Sequence, residues 1–158
     1  MASGMPQAFS DPVVAPLIDA LYTEAMLLAD EARGYFEYEG RLDRDALAPR
    51  DRIAFSCESL RVTTRLMHVI AWLLGRRAVL AGELEAARAS EGEWRLGLVT
   101  NALEDHGARL PEGARRIIDA SIDLHARAAR LDTQFAEAEA GGLSGPANAL
   151  LDRLRQIY

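Results

Sequence analysis

Three segments of this chain repeat their small and apolar residues at alternating steps of four and three. That regularity constrains the fold more than any other feature. Val14, Ile18, Leu21, Ala25, Leu28, Ala32 and Tyr35 form the first series. Ile53, Cys57, Leu60, Thr64, Met67, Ala71, Leu74 and Ala78 form the second, and Ile117, Ser121, Leu124, Ala128, Leu131 and Phe135 the third. A mean step of 3.5 residues is the seam of a helix packed nearly along its neighbours. No segment shows the apolar alternation of a strand. Three long helices sharing one period predict an all-α fold, an antiparallel three-helix bundle.

Start and stop signals bound the helices. Asp11 reads as an N-cap with Pro12 at the first helical position, and the first helix should end near Tyr38, before Gly40. "GRLDRDALAPR" is a polar connection, after which Pro49 or Asp51 opens the second helix. That helix runs to about Ala81, with Gly82 weakening any extension toward Ala89. Residues 90–110 are the least regular interior stretch, and a short helix is expected near Leu96–Asp105, because long structureless loops are unusual in compact domains. Pro111 opens a third helix reaching about Ala140. "GGLSGP" at 141–146 is a linker by composition. In "ANALLDRLRQIY", Leu150, Leu151, Leu154 and Ile157 share one side of a short amphipathic helix, which either docks or stays mobile. The expected organisation is a flexible 1–10, a bundle domain over 11–140, and a linker with a short tail over 141–158.

Composition narrows the function. The chain has 158 residues, 49% hydrophobic and 27% charged, which fits one globular domain. All 18 cationic residues are arginine, so Schiff-base and P-loop lysine chemistry are excluded. A net charge of −6 argues against nucleic acid as a partner. Cys57 is the single cysteine, which rules out an internal disulfide and fits a reducing compartment. "MASGMPQAFSDP" lacks the pattern of a signal peptide, and the apolar run Val69–Leu74 falls far short of a membrane span. A cytoplasmic protein is expected, with no membrane partner.

The second helix carries more than one helix of a bundle needs. Besides its heptad series, Phe55, Val62, Leu66, Val69, Ile70, Leu73 and Leu80 form another apolar stripe, about 140° away at 100° per residue. A helix apolar on two sides is buried on two sides. Either a second copy of the chain covers this stripe, or segment 90–110 or the tail does. Spare apolar residues on the first helix (Val13, Leu17, Met26, Leu27) favour self-association. Phe55, Val62, Leu66, Val69, Leu73 and Leu80 are therefore expected to join two copies in a homodimer. Between the stripes, Glu58, Arg61, Arg65, His68, Trp72 and Arg76 follow one line of the helix. This row reads first as a solvated face, with Glu58 paired to Arg61 or Arg65. Trp72 is its awkward member, either stacked by an arginine within the chain or waiting for a partner. The row is accordingly the candidate partner-binding face.

Catalytic templates find no match. Cys57 and His68 sit about 16 Å apart along one helix, and Cys57 belongs to the expected buried seam, where a thiol is inert. None of His68, His106 and His125 has a Glu three residues before it, so the di-iron Glu-x-x-His pattern is missing, as are zinc motifs. His125 reads as a satisfied, partly buried histidine. The carboxylate pairs Glu83/Glu85, Glu91/Glu93 and Glu104/Asp105 lie in polar segments. Neither an enzyme, nor a metal, nor a cofactor is expected.

"ESLRVTTRLMHVIAWLLGRRAVLAGE" (58–83) resembles the core of the alphaproteobacterial regulator-of-CtrA-degradation family, RcdA, and "LYTEAMLLADEARGYFEYEGR" (21–41) resembles that family's first helix and its exit. The resemblance is carried by Glu58–Met67 without Val62, and by Trp72, Leu73, Leu74, Arg77 and Ala78. It covers about 17–85, and His68 departs from the family's commoner glutamine. It implies a homodimeric three-helix bundle that acts as a non-enzymatic adaptor. Such an adaptor works with the ClpXP protease, its unfoldase ClpX and a CpdR-like response regulator during the cell cycle, and tethers protein substrates to the protease. Two alternatives stand beside it: a helical transcription regulator, and a small-molecule-sensing bundle with Trp72 and His68 lining a pocket.

Overall fold

The structure, a computed structural model, describes residues 12–89, 91–99 and 109–143. Among them there is helix and connection and no strand. Three long helices dominate: α1 (Val14–Gly34), α3 (Pro49–Leu80) and α5 (Glu112–Leu143). The expected cap at Asp11, the tail helix and most of the expected helix near Leu96–Asp105 lie outside the described residues. Within that last stretch, Leu96–Val99 is not helical.

The start and stop signals place the long helices closely. α1 runs into one π-helical turn, Tyr35–Glu39, closed by the Gly40 N–H on the Tyr35 carbonyl at 2.6 Å. The polar connection that follows contains a short helix, α2 (Arg41–Asp45). Pro49 begins α3, where the absent N–H costs nothing. α3 stops at Gly82, whose φ of 75° is the left-handed conformation that favours glycine. The Gly82 N–H meets the Val79 carbonyl at 3.0 Å and the Glu83 N–H meets that of Ala78 at 2.9 Å, a Schellman termination. No continuous extension therefore reaches Ala89; a separate turn, α4 (Ala86–Ala89), follows, then a 3₁₀ turn at Gly92–Trp94.

Contacts at both ends fix the helix directions. Arg77 pairs with Asp19 at 3.2 Å, while Phe55 meets Phe36 edge-on at 5.2 Å, so α1 and α3 are antiparallel. Arg127 bonds Glu24 at 3.0 Å and Arg116 pairs with Glu31, so α1 and α5 are antiparallel too. Between α3 and α5 the pairs Arg65–Ser121, Trp72–Asp132 and Arg76–Glu139 climb together. These two helices are parallel, which corrects the expectation of a uniformly antiparallel bundle. Short connections force antiparallel neighbours. Residues 81–111 form a long connection, enough to run back along the ~48 Å of α3 and start α5 at the same end.

The core uses two of the three heptad seams. Ile18, Leu21, Ala25, Leu28 and Ala32 of α1 and Tyr35 of the π-helical turn are buried, as are Ile117, Ser121, Leu124, Ala128 and Phe135 of α5. α3 is turned the other way. Phe55, Val62, Leu66, Val69 and Leu73 are at most 3% exposed inside a single chain, with Ile70 and Leu80 packed against them. Five of the six residues expected to join two copies are thus the core of one copy, out of a second chain's reach, and the sixth, Leu80, is partly buried against them. The α3 heptad series faces outward instead: Ile53, Leu60 and Met67 are 64–69% exposed, and Cys57 is exposed rather than buried.

Candidate functional site

The charged row of α3 lies in the groove between the parallel helices, roofed by the returning connection. Arg65, Trp72 and Arg76 are buried, His68 and Arg61 half-buried. A roof of irregular backbone brings N–H and C=O groups that helices or sheets would otherwise satisfy, and buried ones need partners. The row and its counterpart on α5 supply them. Arg76 Nη2 donates to the Ala89 carbonyl at 3.2 Å, and the Leu96 N–H donates to Asp132 Oδ2 at 3.4 Å. His125 Nε2 sits 2.8 Å from the Gly97 carbonyl, which assigns the proton to that nitrogen. His125 is thus the satisfied, partly buried histidine expected. Gly97 presses on the His68 ring so closely that a Cβ would lie 2.5 Å from Nδ1, so only glycine fits there.

Asp132 is the hub. Its carboxylate accepts from Trp72 Nε1 at 2.9 Å, from Arg95 Nε at 2.7 Å and from the Leu96 amide, with Arg76 Nη2 at 3.7 Å. Arg76 also pairs with Glu139 at 3.2 Å and lies over the Trp72 and Phe135 rings at 5.6 and 4.9 Å. Trp72 is therefore stacked by an arginine of its own chain, the first of the two options the sequence left open. Burial lowers the Arg76 pKa, and Glu139 works against that. Burial raises the Glu139 pKa, and Arg76 opposes it. Arg65 is likewise lowered by burial, with Glu58 pulling the other way, and donates to Ser121 Oγ at 3.2 Å. Glu58 pairs with Arg61. As a face for a protein partner, the row is corrected by its burial: Arg65, Trp72 and Arg76 are sealed, and only Glu58, Arg61 and His68 keep partial exposure.

The outward face of α3 is what the molecule presents. Ile53, Leu60, Met67 and Leu74 alternate there with the smaller Cys57, Thr64, Ala71 and Ala78, a heptad seam with no partner helix among the described residues. On α1, Val13 and Leu27 are exposed, and Leu17 and Met26 less so. A cleft of about 300 Å³ between α1 and α3 is lined by Ala29, Phe36, Thr63, Leu66, Met67 and Ile70, among others. Neither Trp72 nor His68 lines it. Among the described residues, no three of His, Cys, Asp and Glu gather as a metal site, and no helix is long and apolar enough to cross a membrane.

The sequence carries a signal for the buried row. Ser121, His125, Ala128, Asp132, Phe135 and Glu139 form a heptad row on α5 carrying two acids. Arg65, Trp72 and Arg76 form a row of donors on α3, two of them cations.

Comparisons with known proteins agree with this architecture. Over 75% of its length, the chain superposes on 90% of RcdA from Caulobacter crescentus CB15, whose crystal structure it matches with a TM-score of 0.62 at 33% identity. No curated relative matches. The family described as "Protein of unknown function (DUF1465)" matches residues 10–158. The chain belongs to the DUF1465 family and is RcdA-like.

Proposed function

We propose that this protein is a cytoplasmic, non-enzymatic adaptor that tethers protein substrates to a ClpXP-type protease and self-associates as a homodimer. The observation that carries it is the outward heptad of α3. A seam of this period is built to receive another helix, and its alternation of large and small residues lets two copies interdigitate. The likeness to RcdA implies action by recruitment, with ClpX, a CpdR-like response regulator and protein substrates as the partners. The helices serve as the docking body, and the residues that follow α5 serve as a tether. Recruitment raises local substrate concentration and needs no bond-making residues.

Met67→Glu, on the exposed seam, tests this. Sedimentation velocity should show a folded variant whose dimer constant is weakened at least tenfold. Reconstituted ClpXP degradation of a co-purifying substrate should accelerate on adding the wild-type chain. A chain that leaves that rate unchanged at saturating concentration is no adaptor.

A further inference from the structure

The outward seam of α3 is narrow. From Ile53 to Leu74 it runs ~32 Å, and one helix side ~10 Å wide offers on the order of 300 Å². A standard interface takes about 800 Å² from each partner. A second copy seated on the seam therefore needs flanking surface, and the returning connection holds some in place. The Trp94 ring lies on Gly75, where a Cβ would meet its Cε3 at 3.5 Å. Gly75 neighbours Ala71 and Ala78 on the helix surface, so the indole borders the seam, and Trp94 is 39% exposed. Leu98, four residues on, is 92% exposed. Between these two apolar residues, Arg95, Leu96 and Gly97 are each anchored by a polar bond to α5.

We propose that the connection is the second half of the self-association surface, presenting Trp94 and Leu98 beside the α3 seam to another copy of this chain, with Asp132 as the positioning residue that holds it there. This rests on the self-association proposed above. Asp132 suits the role because it bonds three donors from two elements: Trp72 on α3, and Arg95 and Leu96 on the connection. Its contact with the second copy is indirect. Loss of its charge frees the segment that carries Trp94 without touching the seam.

The experiment is sedimentation velocity on the full chain, paired with amide hydrogen exchange over residues 91–99. Trp94→Ala and Leu98→Glu should each weaken the dimer constant about tenfold and leave exchange unchanged. Asp132→Asn should accelerate exchange in 91–99 and weaken dimerisation to a similar degree. Added to the Trp94→Ala/Leu98→Glu double variant, it should weaken dimerisation no further, because it acts only by placing those two side chains. Additive losses mean that Asp132 is merely structural and overturn its positioning role. Should Asp132→Asn fail to fold, Arg95→Ala, which removes one anchor from a partly exposed side chain, takes its place in the same cycle. Dimer constants within twofold of wild type for both Trp94→Ala and Leu98→Glu, while Met67→Glu abolishes dimerisation, overturn the role of the connection and leave the seam intact. A wild-type chain that sediments as a monomer throughout overturns the second copy as occupant, and the seam assignment with it.

Discussion

Leu73 and Leu74 are consecutive in sequence and stand on opposite sides of one helix. Leu73 is 0% exposed, deep against α1 and α5, while Leu74 is 48% exposed on the outer seam. The same contrast runs the length of α3: Phe55, Val62, Leu66 and Val69 inside, Ile53, Leu60 and Met67 outside. Both faces carry enough apolar surface to serve as a core. What separates them is the company on their edges. The inner stripe borders Arg65, Trp72 and Arg76, whose polar ends are matched by Ser121, Asp132 and Glu139 on the parallel helix. The outer seam borders no such matched row. In this fold the position of the core follows from the polar pairs that seal its edge as much as from the apolar residues.

The sharpest way to break the comparison is to put the same charge on both sides. Leu73→Glu buries a carboxylate with no partner in the centre of the bundle, and we expect no folded protein. Leu74→Glu, one residue on, should fold with a thermal midpoint within a few degrees of wild type and lose self-association. Circular dichroism and sedimentation on the two variants read this directly. Equal destabilisation by both would mean that α3 has no distinct inner face.

A smaller effect is expected from the sealing row. Arg76→Ala leaves Glu139 buried without its arginine, while Asp132 keeps Arg95, and opening a buried ion pair in this way costs about 3–5 kcal/mol. Denaturant unfolding should show the loss as a lower midpoint. An exposed arginine treated the same way, Arg33→Ala in its i,i+4 pair with Glu37, should change stability by less than ~0.5 kcal/mol. If the two changes weigh the same, the row is solvated after all.

Much of this fold could be read from the sequence. Pro49, Gly40, Gly82 and Pro111 mark helix limits locally, because their backbone chemistry acts within one turn. The seams of α1 and α5 were legible because each helix has one apolar series lying in the core. α3 was not, since period alone reports how many faces a helix has and is silent on which one turns inward. That choice is made by residues far away: by Asp132 and Glu139, some sixty positions on, and by the Ala89 carbonyl and Leu96 amide of a connection with no period at all. The direction of α5 was hidden for the same reason. A long connection permits either orientation, and the pairings that decide it are tertiary. Trp72 was the one residue whose discomfort among charges pointed at the answer.

The finest difference between the two faces is in their response to pH. The outer seam carries no carboxylate, whereas the sealed row contains Glu139, whose Oε1 meets Arg76 while its Oε2 is buried without a hydrogen-bond partner among the described residues. Burial raises its pKa above the ordinary carboxylate range, against the pull of Arg76. A folded chain that holds this proton more tightly than the unfolded chain is fully favoured below about pH 4.3. It loses that advantage as pH rises through the raised value, and above it the contribution is level. Glu139→Gln removes the titration while keeping the side chain's shape. The stability of Glu139→Gln relative to wild type should therefore climb as pH rises across that window and then flatten, read from denaturant midpoints at a series of pH values. Met67→Gln on the outer seam should show a difference from wild type that does not vary with pH. A slope of the opposite sign for Glu139→Gln would mean that attraction to Arg76 outweighs the cost of burial. The sealed row would then act as a net electrostatic attraction between α3 and α5, and no longer as a charge cost tolerated for the sake of closing the groove.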